Sequence, residues 1–256
     1  MSEKPKRRWY QFSLKTLLVT ITILCIGPGG FVAFEQSKSR RQKAAVDLIE
    51  ARGGGVDYDD EVVRRSPAMR SVLGEDRYST TRSVSLRSQE TRDCIPYLHV
   101  FPHLQDLYLG NISDADLVHL KALSTLKWLD LRETNITDSG LASLVHLSKL
   151  EALQLYGTRV SDDGLVHLGG LHHLTLLDMG KTQVTDAGLV AVSRLMSLER
   201  LYLFRAKITN AGLERLADLP KLTYLDLTAT AVTDAGVQRL QKALPSLEID
   251  RHRPWE

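Results

Sequence analysis

The amino-acid sequence predicts an α/β solenoid, with a curved parallel sheet on its concave face, helices on its convex face and one transmembrane helix ahead of it. Three observations predict this fold: a unit of about 24 residues recurs along most of the chain, the spacing of apolar residues changes within each unit, and residues 16–34 carry no charge. The 256 residues have 43% hydrophobic and 25% charged side chains, a composition typical of globular proteins. A chain disordered throughout and a polytopic membrane protein are therefore excluded.

The N-terminus predicts a membrane-targeting signal. A basic leader over residues 1–15 precedes segment 16–34, whose 19 uncharged residues would form a helix of about 28 Å, close to the thickness of a bilayer's hydrocarbon core. A cleavable signal peptide is the competing interpretation, because glycine and proline interrupt the apolar run after Ile26. We favour an uncleaved signal anchor, because Phe31 stands where cleavage after Ala33 would need a small residue.

The orientation of this anchor is less clearly encoded. Five basic residues precede the segment and five follow it, so the positive-inside count is a tie; those that follow are Lys38, Arg40, Arg41, Lys43 and Arg52. A basic leader ahead of the first apolar segment is typical of export signals. We therefore expect a single-pass membrane protein with a cytoplasmic N-terminus and an extracytoplasmic repeat domain, although a free Cys94 favours the reverse.

The distribution of charge argues against a nucleic-acid partner. The chain carries a net charge of +2, but residues 1–52 hold ten basic and four acidic side chains, which leaves 23 basic against 27 acidic, or −4, for the remainder. Affinity for phosphate depends on clustered lysine and arginine, which a domain of this charge lacks. The two cysteines, Cys25 and Cys94, are too few for a zinc site or a disulfide framework.

Three short regions separate the anchor from the repeats. Residues 35–55 predict a juxtamembrane stalk helix that stops at a run of glycines, with apolar side chains at helical spacing: Ala45, Leu48 and Ile49. Residues 56–83 read as a linker with short elements. Residues 84–103 predict an N-terminal half-repeat, because they carry the apolar pattern of a repeat's helical half at Ile95, Leu98 and Phe101.

Six full repeats and a terminal strand occupy residues 104–250, and a tail covers 251–256. The repeats and the strand start at leucines separated by 22 to 25 residues: Leu104, Leu126, Leu150, Leu174, Leu198, Leu222 and Leu247. In the second copy, Leu129 and Leu131 alternate as in a strand, and three leucines then follow at helical spacing: Leu141, Leu144 and Leu147. No unit can bury its apolar face alone, so the units must stack into a solenoid.

A Ser or Thr followed by Asp recurs where each helix should start. Helix N-caps are predicted at Thr137, Ser161, Thr185, Thr209 and Thr233. The next residue falls in the first helical turn, where the helix dipole favours negative charge, at Asp138, Asp162, Asp186 and Asp234. This column of aspartates could in principle hold calcium, but helix capping already accounts for it.

These motifs resemble those of leucine-rich repeat proteins with 24-residue units and an ITDAGL-type helix start. The clearest copies are Val184–Leu189 (VTDAGL) and Val232–Val237 (VTDAGV). The resemblance extends over residues 84–249, roughly two thirds of the chain, and is far more specific for fold than for function. Together with Arg8–Leu18 (RWYQFSLKTLL) ahead of the apolar segment, the layout resembles a bacterial group of membrane-anchored leucine-rich repeat proteins.

The concave face carries the candidate binding residues. Side chains alternate along a strand, so those flanking the inward leucines face the concave surface. All six aromatic residues of Leu104–Ile249 fall at these positions. Aromatic residues and arginine are enriched in binding hot spots, although aromatics also favour strands for packing alone. We predict a protein- or peptide-binding site made of Tyr108, Trp128, Asp130, Arg132, Tyr156, Asp178, Arg200, Tyr202, Phe204, Tyr224 and Asp226.

Three of these residues form a row of carboxylates in alternate units: Asp130, Asp178 and Asp226. Adjacent strands lie about 4.8 Å apart, so neighbours in this row are about 10 Å apart, too far to share a metal ion. A solvated, partly salt-bridged face is the simpler interpretation, and charge steering towards a partner is the other.

The sequence predicts binding rather than catalysis. No spacing brings together a nucleophile and base, a metal cluster or a phosphate-binding loop, and the histidines of the helical side, among them His119, His146 and His167, do not converge. We therefore expect no catalytic residue, no metal and no cofactor. The expected function is a membrane-tethered protein–protein interaction module; the alternative is a self-associating spacer of the cell envelope whose concave face is the oligomer interface.

Overall fold

The computed structural model describes residues 37–59 and 81–251, which form an α/β solenoid built on one sheet. Within these residues nine strands pair in chain order; β1 is antiparallel to β2, and every later pair is parallel. The strands are β1 (Gly55–Tyr58), β2 (Thr81–Leu86), β3 (Asp106–Leu109), β4 (Trp128–Asp130), β5 (Ala152–Gln154), β6 (Leu176–Asp178), β7 (Arg200–Tyr202), β8 (Tyr224–Asp226) and β9 (Glu248–Asp250). The predicted solenoid with a parallel sheet is confirmed.

The helical half of most units is one α-helical turn followed by a 3₁₀ turn. The α-helices are α1 (37–51), α2 (Asp114–Leu117), α3 (Asp138–Leu141), α4 (Asp162–Leu165), α5 (Leu189–Val192), α6 (Asn210–Leu213) and α7 (Asp234–Ala243). The 3₁₀ segments are Gln89–Val100, Val118–Ala122, Ala142–His146, Val166–Gly170 and Glu214–Leu216. Apolar residues spaced strictly by three, as at Leu141, Leu144 and Leu147, suit the three residues per turn of a 3₁₀ helix.

The core is a stack of leucine rows that run through all the units. The central strand residues Leu129, Leu153 and Leu177 are fully buried, as are the helix residues Leu141 and Leu144. The leucines that start the repeats are buried in every copy. Each unit thus covers the apolar face of its neighbour, which makes the stacking of units the main source of stability.

Buried threonines close the turn after several strands. Thr134 donates a hydrogen bond to the Leu131 carbonyl at 2.6 Å, and Thr158 and Thr182 repeat this contact with Leu155 and Met179. Because the hydroxyl finds a partner three residues back, it can be buried without an unpaired polar group.

An aspartate ladder joins successive units on the helix side. Asp162 accepts hydrogen bonds from the backbone N–H of Thr185 at 2.8 Å and from its hydroxyl at 2.6 Å. The same pair of bonds joins Asp114 to Thr137, Asp138 to Ser161 and Asp186 to Thr209. In the next unit Asn210 replaces aspartate; it accepts from the N–H of Thr233 at 3.0 Å and donates to its hydroxyl at 2.9 Å.

This ladder changes the role predicted for the capping hydroxyls. Thr137, Ser161, Thr209 and Thr233 do occupy N-cap positions, but of these four only the Thr209 hydroxyl accepts a hydrogen bond from its own helix. Thr185 lies ahead of α5, whose N-cap is Gly188. The hydroxyls therefore bond chiefly to the preceding unit rather than to their own helix.

The ladder also explains why each unit that follows a ladder residue, from α3 to α7, has a glycine in its helical half. A Cβ on Gly188 would lie 2.9 Å from Leu165 Cδ1 and 3.0 Å from Val184 Cγ1, and nearer still to the carboxylate of Asp162. Such distances are shorter than van der Waals contact allows, so the close approach of two units requires glycine here. The same oxygen of the preceding unit faces Gly140, Gly164, Gly212 and Gly236.

A helix and an antiparallel strand cover the N-terminal end of the described solenoid. Ala45, Val46 and Ile49 of α1 join the core cluster, and β1 extends the sheet beside β2. The described part of the predicted stalk, 35–55, therefore packs on the first unit, and the predicted linker, 56–83, contains most of β1 and the start of β2. At the other end the Arg251 guanidinium binds the Asp234 carboxylate and donates to the Val232 carbonyl at 2.9 Å.

The predicted transmembrane segment, 16–34, lies outside the described residues, as do the leader 1–15 and most of the tail 251–256. Over 37–59 and 81–251, no helix combines the length and the apolar character needed to cross a bilayer.

Candidate protein-binding surface

The concave face is the side of the sheet that the helices do not cover. In strands β3 to β8 and the one or two residues after each, its side chains alternate with buried leucines or Met179. Each unit contributes three concave positions, and each position forms a row across the strands: Arg200 is in the first row, Tyr202 in the middle row and Phe204 in the third. Register pairs Tyr202 of β7 with Asp178 on one side and Asp226 on the other. All the residues predicted for the binding site lie in these three rows.

Four of the aromatic residues form two ring pairs in the C-terminal part of the face. Tyr156 and Phe204 stack with ring centroids 6.2 Å apart, across the intervening Gly180. A Cβ on Gly180 would lie 2.8 Å from the Tyr156 ring, so this pair requires a glycine between its members. Tyr202 and Tyr224, on neighbouring strands, have ring centroids 5.3 Å apart.

Cationic side chains lie over three of the aromatic rings. Lys181 Nζ is 4.9 Å from the centre of the Tyr156 ring, Arg205 Cζ is 5.2 Å from that of Phe204, and Arg87 Cζ is 5.4 Å from that of Tyr108. Cations within about 6 Å of a ring centre are attracted by its π face. The sequence pattern of the concave face does not predict these three cations, although Lys181 and Arg205 each immediately follow the third concave position of their unit.

Asp130 is held between two arginines and is almost inaccessible. Its carboxylate binds Arg87 Nη2 at 2.7 Å and Arg132 Nη2 at 2.8 Å, and its side chain is only 3% exposed. Burial opposes ionisation, but hydrogen bonds from Arg132 and the charges of both arginines outweigh it and lower the pKa of Asp130. Asp130 can therefore influence a partner only through these exposed arginines.

Asp178 and Asp226 lack such arginine partners. Asp178 accepts the Gly180 N–H at 2.9 Å and Asp226 accepts the Thr228 N–H at 2.7 Å, and neither makes an ion pair within the described part of the chain. Burial raises the pKa of Asp178, and the charges of Asp226 and Asp130 raise it further against the opposing effects of the Gly180 N–H and Arg132.

The remaining predicted residues lie in the first concave row. Arg200 is exposed on β7, between Leu176 and Tyr224 in register. Trp128 is half-buried on β4, and its Nε1 has no hydrogen-bond partner among the described residues. The structure thus forms two aromatic pairs and one arginine–aspartate cluster; Arg200 lies beside Tyr224 of one pair, and Trp128 lies on the same strand as Asp130.

The described side chains that could ligate a metal ion or act as a nucleophile are dispersed or already engaged. Within residues 37–59 and 81–251, no three His, Cys, Asp or Glu side chains are grouped so that they could hold a metal ion. The ladder aspartates that might have bound calcium accept hydrogen bonds from the next unit instead. Cys94 is fully buried without a disulfide, and burial raises the pKa of its thiol, which disfavours the reactive thiolate.

A family model for the leucine-rich repeat matches residues 122–145, 170–193 and 218–240, three units in the same register as those of the structure. This chain is a leucine-rich repeat protein. Its leucine-rich repeat domain is similar in structure to an internalin (inlF) of Listeria monocytogenes, with a TM-score of 0.55 and 22% identity over 70% of this chain and 50% of that one. It is also similar to internalin C2 (inlC2) of that organism, with a TM-score of 0.51 and 23% identity over 73% of this chain and 92% of that one.

This leucine-rich repeat protein thus spans about half the length of the first of these internalin structures. No curated protein matches its sequence. At these identities the likeness to the internalins establishes a shared fold.

Proposed function

We propose that this leucine-rich repeat protein binds a protein or peptide partner through its concave face. The observation that carries the proposal is the pair of aromatic contacts, Tyr156 with Phe204 and Tyr202 with Tyr224, half-buried on the open side of the sheet. The rings are held by strands whose opposite side is the leucine core, so little side-chain freedom remains to be lost on binding. Repeat solenoids use their extended concave surfaces for binding.

Site-specific crosslinking tests this proposal. A photo-reactive phenylalanine analogue replaces Tyr202 in the full-length chain, and in a matched control it replaces Tyr97, which is 48% exposed in the 3₁₀ segment Gln89–Val100. We expect discrete adducts in cells from position 202 that weaken when Tyr224 is changed to alanine. Equal adducts from both positions, or none from 202, would contradict binding at the concave face.

The same experiment addresses self-association, the alternative function. A crosslinked species with twice the mass of the chain from position 202 would identify a second copy as the partner and would favour a spacer role. Adducts of other masses would favour a separate protein ligand.

We also propose that residues 16–34 anchor the chain in a membrane and that the repeat domain faces away from the cytoplasm. The uncharged segment and the basic leader support this proposal. Protease treatment of intact cells, with and without opening of the outer envelope, tests it. We expect the protein to stay in the membrane fraction and its repeat domain to be digested once the outer envelope is opened. Protection of the repeat domain until the inner membrane is lysed would mean that this domain faces the cytoplasm.

A further inference from the structure

The two ends of the concave face differ in how their carboxylates are neutralised. In the N-terminal units, Asp130 binds two arginines, and Asp106 lies 3.6 Å from Arg82. In the C-terminal units, Asp178 and Asp226 accept only backbone N–H groups among the described residues. The concave carboxylates are therefore paired with arginines at the N-terminal end of the face, whereas Asp178 and Asp226 form no ion pair among the described residues.

The C-terminal carboxylates flank an aromatic ring. Asp178, Tyr202 and Asp226 share one row of three adjacent strands, so the two carboxylates are about 10 Å apart with the tyrosine between them. In both aspartates Oδ1 accepts the backbone N–H, and Oδ2 has no donor among the described residues. A cation within about 6 Å of the centre of the Tyr202 ring would be attracted by the ring and by the carboxylates on either side of it.

We infer that the C-terminal part of the concave face, formed by Asp178, Tyr202, Tyr224 and Asp226, binds an extended peptide segment that carries lysine or arginine side chains. This inference rests on the proposed function and adds the chemistry of the partner. The aliphatic stem of a basic side chain packs on the paired rings of Tyr202 and Tyr224, and its charge lies above the middle row, near Asp178 and Asp226.

The electrostatics of the middle row support a cationic occupant. Burial is the main cause of the raised pKa of Asp178, and the charges of Asp226 and Asp130 raise it further, against the opposing effects of the Gly180 N–H and of Arg132. The negative charge of Asp178 is therefore unfavourable in the free protein. A bound cation would offset the cost of burying this charge and the repulsion from the other two carboxylates.

The cations of this region do not fill the middle row. Lys181 and Arg205 lie over the rings of Tyr156 and Phe204, beyond the ends of strands β6 and β7. Arg200 is in the first row, beside Leu176 and Tyr224. None of these three side chains forms an ion pair with Asp178 or Asp226 among the described residues, so both carboxylates can attract a cation from a partner.

Fluorescence anisotropy with three labelled nonapeptides tests the inference on the full chain in lipid nanodiscs. The probes alternate serine with lysine, glutamine or glutamate. We expect the lysine peptide to bind more tightly than the glutamine peptide, and D178N/D226N to weaken its binding about tenfold, with smaller losses from each single variant. The matched control is D218N, which removes an exposed carboxylate from the helical side and should leave binding unchanged.

Two results would overturn the inference: the lysine peptide binding no better than the glutamine peptide, or D218N weakening binding as much as D178N/D226N. Circular dichroism of each variant establishes that the fold is retained. The crosslinking at position 202 separates this inference from the proposed function. Adducts there without any preference for lysine would leave the concave face as a binding surface and reject a basic partner.

Discussion

On the helix side of this protein, one hydrogen-bonded contact joins each pair of adjacent units from Asp114 to Thr233, whereas on the concave face no two units carry the same three side chains. The first set of residues is constant because each unit must dock on the next in the same way. The second set is free to vary, because the buried leucines beneath it already hold the sheet together. The difference separates positions that maintain the solenoid from positions available for recognition.

The largest effect is expected when the aspartate ladder is broken. Asp162→Ala removes the acceptor of two hydrogen bonds and leaves the Thr185 N–H without its partner in the preceding unit, so we expect a loss of about 3 kcal/mol in the free energy of unfolding. Urea unfolding of the full chain followed by circular dichroism measures it.

Asp162→Asn is the control, because Asn210 performs this role in a later unit. It should cost less than about 1 kcal/mol. A similar loss for alanine and asparagine would mean that the ladder contributes little and that leucine packing alone joins the units.

A smaller effect is expected on the concave face at Asp130. Asp130→Asn removes the carboxylate charge that pairs with Arg87 and Arg132. We expect it to lower the free energy of unfolding by about 2 kcal/mol at pH 7. Folding lowers the pKa of Asp130. The stability that its ionised carboxylate contributes is therefore complete above the unfolded-state pKa and is lost as the pH falls through the folded-state pKa. Thermal unfolding at a series of pH values should show the variant and the parent converging in acid; a constant difference would contradict an ionic role.

The smallest effect, of opposite sign, is expected at Asp178. Folding raises the pKa of this carboxyl, so its stabilising contribution is complete below the unfolded-state pKa and is lost as the pH rises through the folded-state pKa. Asp178→Asn should therefore raise the free energy of unfolding at pH 7 by about 0.5 kcal/mol. Differential scanning calorimetry would detect this gain, which should disappear in acid. A loss of stability at pH 7 would show that Asp178 serves the fold as Asp130 does.

Much of the fold follows from the sequence because one unit predicts the next. The spacing of Leu129 and Leu131 predicts the inward strand positions of every full repeat, and all of these positions are buried. The 3₁₀ turns were not predicted, since spacing by three was interpreted as an α-helical pattern. The aspartate ladder was missed because each bond joins residues 23 apart; the signal was Asn210, the one hydrogen-bonding replacement in that column.

The candidate site was predictable as a set of positions but not as a set of contacts. Alternation along each strand places the aromatic side chains on the concave face. Stacking of Tyr156 on Phe204, however, depends on Gly180 between them, and Asp130 is neutralised partly by Arg87, 43 residues away in the unit ahead of the full repeats. Such pairings depend on side-chain directions across strands, which a single sequence does not specify. Partner binding by these residues stays a prediction.

The aspartate ladder also bears on how such a molecule can evolve. In each internal unit, a carboxylate or amide side chain forms hydrogen bonds with the next unit, and a hydroxyl group forms one with the preceding unit. Every internal unit therefore docks on its neighbours through the same pair of groups. Gene segments encoding whole units could be duplicated, deleted or exchanged without a compensating change in their neighbours. The concave surface would gain or lose three side chains at each event, so new recognition surfaces could arise by recombination alone.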